Sequence, residues 1–231
     1  MSEGLFNYSL QERGSVKYIS FIFILSISLG QWTTFQLDEL SNSSKKSKTI
    51  FRTAGFAATH NFPVAITEKN RIAIGLSTLK GISANGFLPM INGNINVSWN
   101  LSLRGRMAAY SAEEGTIQAY GWGLSLNPSK DKEISKWIIN LDSGKLNSND
   151  ALIVSSIQAS ATRQFNLNMF PVYVGFGLNI LNANPKSLLD KKYQGKKEIQ
   201  TNFINIGTKI SIYGLSVIPQ LWVGSQYSMV S

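Results

Sequence analysis

His60, in Thr59-His60-Asn61, is the chain's one histidine. A histidine base works with a nucleophile and an orienting acid placed around it. No G-x-S-x-G accompanies His60, and the chain has no cysteine. One histidine without cysteine also gives no spacing for a metal site. Glu113 and Glu114 are adjacent, so on a strand they would face opposite ways and could not act as a carboxylate pair. Gly121, Gly123, Gly175 and Gly177 lack the strand–loop–helix setting of a phosphate cradle. Their positions suit a crowded strand face, where a missing side chain leaves room. The sequence therefore predicts no enzyme, no cofactor and no metal.

The charges worth placing are Arg104, Arg106, Arg163 and Lys209, isolated basic residues among uncharged polar ones. Facing into an enclosed lumen, they would pair with interior acids and carbonyls, or bias a narrow passage toward anions. The formal net charge is +9. Its lysines gather in loop-like stretches: Lys45, Lys46 and Lys48, then Lys130 and Lys132, then Lys191, Lys192, Lys196 and Lys197. They stand apart from the aromatics, so the interleaved basic–aromatic surface of a nucleic-acid binder is missing, and no nucleic-acid partner is expected.

Composition limits the elements that can hold these residues. Charged residues make up 15% of the chain and hydrophobic ones 43%, with mean hydropathy −0.02. Typical soluble domains carry about 25% charged residues. Apolar residues are interleaved with Asn, Ser, Thr, Gln and Gly, which suits strands better than helices.

Ile19 to Leu29 reads ISFIFILSISL. It is too short for a spanning helix and has the size of a signal-peptide core, with Lys17 before it and Ser28-Leu29-Gly30 after it. Residues 1–30 are thus read as a signal-like segment. A translation start at Val16 would account for the stretch that precedes it. Residues 31–48, with Ser41, Asn42, Ser43 and Ser44 followed by lysines, read as a linker. Residues 49–231 read as the folded domain.

That domain is dominated by period-two alternation. In 94–104, Ile95, Val97, Trp99, Leu101 and Leu103 share one face, while Asn94, Asn96, Ser98, Asn100, Ser102 and Arg104 share the other. Comparable runs lie at 72–76, 120–126, 137–141, 153–167, 172–180, 204–212 and 215–223. They predict about eight long strands and no helix beyond residue 31. The polar faces carry Asn, Ser, Gln, Thr and Gly rather than Lys and Glu, which suits a packed barrel interior. Tyr110, Trp137, Phe170, Tyr173, Tyr213 and Tyr227 lie near strand ends, where interfacial aromatics are expected.

On this alternation, strand length and signal-like segment, the chain resembles bacterial outer-membrane β-barrel proteins as a class. The resemblance implies an antiparallel up-and-down transmembrane β-barrel of about 8–10 strands, located in the bacterial outer membrane. Its partners would be outer-membrane lipid and the barrel-assembly machinery. The role it implies is structural, adhesive or accessory, exercised through the outer loops. Two alternatives stand beside it. One is a porin-like but narrow channel, or a binder for a small hydrophobic or anionic solute. The other is a soluble periplasmic β-barrel that carries a ligand. The sequence names no small-molecule ligand.

Loop lengths add a parity argument. The joins at Asn168-Met169 and Tyr213-Gly214 are short, and those at 142–150 and 181–198 are long. Short turns on the periplasmic side then ask for one more strand near Thr49–Thr59 and another after 214–226. A truncated chain with an intact count of ten strands is the expectation.

Overall fold

The computed structural model describes residues 44–62, 71–81, 86–112, 115–128, 136–148, 152–167, 170–186, 196–212, 215–225 and 227–231. The signal-like segment, residues 31–43 of the expected linker, Glu113, Glu114 and Tyr213 lie outside these residues.

A helix, α1 (Ser44–Thr59), precedes β1 (Ile72–Gly81), β2 (Leu88–Asn96), β3 (Leu101–Ala112), β4 (Gly115–Leu126), β5 (Trp137–Ser148) and β6 (Leu152–Leu167). There follow β7 (Phe170–Pro185), β8 (Lys197–Thr208), β9 (Ile210–Ile212), β10 (Leu215–Val217), β11 (Gln220–Gly224) and β12 (Tyr227–Val230). Ten strands close a barrel in the order β1-β12-β11-β8-β7-β6-β5-β4-β3-β2, and β9 and β10 form a separate two-stranded sheet. The ladders are antiparallel, from Ile72↔Ile95 between β1 and β2 to Lys80↔Val230 where β12 meets β1. β6 and β7 have 16 residues each and β3, β4, β5 and β8 have 12. β9 continues β8, and β10 runs into β11. The break at 218–219 contains Pro219, which has no N–H to give a ladder.

Three sequence expectations change here. The 94–104 run is a hairpin. β2 ends at Asn96, and β3 begins at Leu101. Between them Ser98 Oγ accepts from the Leu101 N–H at 3.1 Å and donates to Asn100 Oδ1 at 2.8 Å. Ser and Asn readily make such local bonds, which compete with an extended ladder. The paired residues Ile95↔Leu103 and Asn94↔Arg104 are an even number of positions apart. Odd positions therefore stay on the outside of both arms, and the alternation runs through the turn without a break. The strand expected near Thr49–Thr59 is the helix α1. The long join expected at 142–150 is largely strand, because β5 continues to Ser148.

The final strand that parity requires is Tyr227–Val230, which lies between β11 and β1. Ten strands thus arise from splitting 94–104 and adding β12, rather than from residues 49–59.

The rim where β1 begins and β12 ends is here called proximal; the rim holding the β7–β8 join is distal. The outward face is apolar over the proximal part of the wall and polar toward the distal rim, where Gln118, Ser155, Glu198 and Gln200 are exposed. Ile74 is 81% exposed, Phe176 60% and Ile157 57%. The inward face is apolar toward the distal rim (Leu79, Leu88, Leu146, Val154, Leu181) and polar toward the proximal rim (Ser102, Asn140, Asp142, Thr162, Asn205); all of these are buried. Tyr173 is also buried, and Tyr110 packs partly buried against the lumen core, so neither belongs to an outer aromatic ring. Trp137 does face outward. The Phe170 and Tyr227 side chains lie outside the described residues.

α1 occupies the distal half of the lumen. Its last turns read Ala54-Gly55-Phe56-Ala57-Ala58-Thr59 and are buried on every side. Small residues let a helix fit between barrel walls, and Phe56, like Phe51 earlier in α1, is a fully buried large anchor. It stands edge-on to Phe203 at 5.2 Å and to Trp222 at 6.3 Å. Trp222 is almost wholly buried. Trp222→Ala is expected to lower stability by about 3–5 kcal/mol, read as the shift in a urea unfolding midpoint monitored by the remaining tryptophans. A loss below about 1 kcal/mol would mean that this aromatic cluster does not fasten the helix.

Candidate functional site

The most chemically loaded place in the barrel is mid-lumen, where α1 ends. The helix runs from the distal rim inward: Gly55 lies against Leu181, Thr59 meets Gln158 and Asn179, and Asn61 reaches Asp142. Gly121 on β4 and Gly144 on β5 are paired neighbours, and the Ala58 carbonyl sits over both. A Cβ on Gly121 would lie 2.8 Å from the Ala58 oxygen, and one on Gly144 would collide with that same carbonyl. These glycines leave space for the end of the helix.

Below that point Asp142 is the hub. It is 1% exposed. Arg104 Nη2 donates to Asp142 Oδ1 and Oδ2, both at 2.9 Å. Arg106 Nη1 and Nη2 donate to Oδ1, each at 3.2 Å. Asn61 Nδ2 donates to Oδ2 at 2.6 Å. Arg106 Nη1 also donates to the His60 carbonyl and Nη2 to the Trp122 carbonyl at 3.1 Å. Two guanidiniums therefore share one carboxylate, and the cluster ties β3, β4 and β5 to the segment leaving α1. A charge-assisted bond is stronger than a neutral one, and it is worth more still away from water.

A second, neutral network stands just distal to it. Thr59 Oγ1 lies within donating distance of Gln158 Oε1 at 3.2 Å and accepts from Asn179 Nδ2 at 2.8 Å. Asn179 Oδ1 accepts from Ser156 Oγ at 3.0 Å.

Of the four basic residues singled out from the sequence, Arg104 and Arg106 are in this cluster. Arg163 is on the outer side instead, its guanidinium 5.6 Å from the Trp137 ring centre and 5.1 Å from that of Phe165. It shares parity with Ile157 and Phe165, the apolar side of β6. Lys209 lies in the break between β8 and β9, half-buried, and does not join the cluster. His60 is buried among rings, 4.9 Å from Phe62 and 5.6 Å from Trp222. Asp142 escaped the sequence reading because it fell in a stretch taken for a loop. Its signal was parity: Asn140 and Asp142 continue the inward face of Trp137–Leu141.

No family model, curated protein or solved structure matches this chain.

Around Asp142 the arrangement is that of a clamp. A carboxylate held by two guanidiniums and an amide has its lone pairs engaged and is poorly placed to take a proton from a substrate. Among the described residues no group of three or more His, Asp or Glu side chains could hold a metal ion. What the cluster can do is fix the end of α1 and place net positive charge in the lumen.

Proposed function

We propose that this chain is an outer-membrane β-barrel with its wall in lipid and its lumen stoppered by α1, and that its role is structural, adhesive or accessory rather than transport. The single observation that carries the reading is the polarity of the wall. Over the proximal part of the wall apolar side chains cover the outside and remain exposed, while Asn, Ser, Thr, Gln, Arg and Asp are turned inward and buried. Exposed apolar surface costs about 25 cal/mol per Å² in water, and a wall of it is stable only against something apolar. A closed barrel meets the other demand of lipid, because its strands satisfy one another's backbone groups. The six strands β3 to β8, with 12 or 16 residues each, exceed the roughly nine to eleven residues that a tilted strand needs to cross. A soluble carrier would turn the same apolar face inward.

The test is fractionation of cells that express the chain, followed by gel migration with and without boiling. An outer-membrane band whose migration changes on boiling is expected; a soluble periplasmic band would overturn the reading. Ile157→Arg, at an outward position in mid-wall, is expected to cost about 2–4 kcal/mol in bilayer refolding. A change near zero would place that face in water.

One observation favours the narrow anion-selective channel as a second reading. The buried mid-lumen cluster holds two arginines against one aspartate. Planar-bilayer conductance that favours chloride over potassium in the unaltered protein would support it over the stoppered barrel.

A further inference from the structure

The outer wall carries charge that no neighbouring side chain neutralises. Arg163 is exposed on β6, with its guanidinium over the rings of Trp137 and Phe165. Rings attract a cation through their π faces, yet they offer no conventional acceptor to its five N–H groups. Among the described residues Arg163 has no hydrogen bond and no carboxylate at ion-pair distance. Lys136, exposed and next to Trp137, has no acid either. Its carbonyl accepts from the Gln164 N–H at 2.7 Å, which sets Lys136 beside the residue that follows Arg163. Two positive charges thus stand together where β5 begins at the proximal rim.

Directly distal to them the wall has a hollow. The next outward residues of β6 are Ala161 and Ala159. Their ladder partners are Ile139 and Leu141 on β5, and Phe176 and Leu178 on β7. An alanine side chain stops at Cβ, whereas Ile139, Leu141 and Phe176 are large and exposed. β6 is therefore the floor of a trough with apolar walls. Ile139 and Phe176 line it with the two alanines, and it continues across Ile204 to Val223. From Arg163 to Ala159 the strand covers about 13 Å. That shape suits a length of hydrocarbon chain, with the two cations at one end.

We propose that Arg163, Lys136 and the Ala159–Ala161 trough form a docking site for one membrane phospholipid of net negative charge, with its phosphate on the two cations and an acyl chain along the alanines. The occupant is argued from charge complementarity. Arginine meets phosphate through paired N–H groups. A neutral glyceride would leave Arg163 uncompensated among apolar side chains, where a lipid-facing charge is costly. A free anion would leave the trough empty. This site rests on the reading of the wall as lipid-facing, and the two can fail separately.

The full chain would be folded in non-ionic micelles and mixed with phosphatidylglycerol, or with a glucosyl diacylglycerol of the same acyl chains. Mass spectrometry that keeps bound lipid then counts what each protein retains. One phosphatidylglycerol per chain is expected, about tenfold above the glycolipid, as befits a charge-assisted pair. Arg163→Gln should lower its retention about tenfold for the same reason. Ala161→Phe fills the trough, leaves both cations in place and should lower retention about fivefold through lost apolar burial. Arg71→Gln, which removes the same charge just before β1, should change nothing. Heat-modifiable migration shows which variants fold; should Arg163→Gln or Ala161→Phe fail to do so, the other decides. Equal retention of the two lipids, no loss with the folded variants, or an equal loss with Arg71→Gln would overturn the site and leave the lipid-facing wall standing, since fractionation tests that wall by itself. Displacement of the lipid by millimolar inorganic phosphate would also overturn it, by assigning the two cations to free phosphate.

Discussion

Gly144→Val is expected to convert a sealed barrel into a conducting one. The β-carbon that the substitution adds would collide with the Ala58 carbonyl oxygen and lie 2.7 Å from its carbon. Neither atom belongs to a flexible side chain, so one of two backbones must move. β5 is locked between β4 and β6 by ladders from Ile117↔Ser148 to Leu126↔Ile139 and from Trp137↔Arg163 to Ser148↔Leu152. α1 is held near this point by Thr59 with Gln158 and Asn179, and beyond it by Asn61 with Asp142. The neutral bonds of Thr59 contribute about 0.5–1.5 kcal/mol each and the bond from Asn61 to the Asp142 carboxylate about 1.5–3 kcal/mol, comparable to the 1–3 kcal/mol strain of overpacking. The helix is the part that yields. A ten-stranded barrel without its filling has room for a narrow passage. Single-channel steps in planar bilayers are therefore expected for Gly144→Val and not for the unaltered chain. A variant that keeps its heat-modifiable migration yet conducts nothing would show that α1 is not the seal. Should valine prevent folding, Gly121→Ala applies a milder push to the same carbonyl, shared with Arg106 Nε and the Ser143 carbonyl, and is expected to give brief openings.

The class of fold was legible in the sequence because a closed barrel with unlike inner and outer faces writes period two into its strands. It is seen in Ile153–Leu167 and Val172–Ile180, which the structure keeps as β6 and β7. Two kinds of feature were hidden. The turn between Asn96 and Leu101 keeps parity, so Val97 and Trp99 continue the outward face and periodicity cannot register the reversal. The last turns of the helix, Ala54–Thr59, carry no amphipathic stripe, because walls surround them on all sides. Helical periodicity reports a boundary between core and water, and Ala54–Thr59 has no such boundary. The site was half legible. Arg104 and Arg106 stood out as charges on a polar face, whereas Asp142 and Asn61 gain meaning only once β5 is extended and the helix is threaded into the lumen. Arg163 shows the converse: an arginine beside Trp137 and Phe165 is at home on the outer side, where its charge can stack on rings.

Asp142→Asn should be as destabilising as the loss of the Trp222 ring, by about 3–5 kcal/mol. The substitution keeps size and shape and removes the one charge that Arg104 and Arg106 both contact. Two guanidiniums then remain buried with only neutral acceptors, the Leu124, Trp122, Ser143 and His60 carbonyls. Asparagine also brings an amide donor toward Asn61 Nδ2 or toward an arginine, so at least one hydrogen bond is lost as well. Because an isolated buried charge costs more than a missing pair, removing a cation along with the anion should recover much of the loss. Arg106→Met with Asp142→Asn leaves one guanidinium rather than two and is expected to be more stable than Asp142→Asn alone. Urea unfolding midpoints of the unaltered chain, Asp142→Asn, Arg106→Met and the double variant decide the matter. Additive losses, with the double variant weaker than either single one, would mean that the arginines act through separate carbonyl contacts and that Asp142 is not what holds them together.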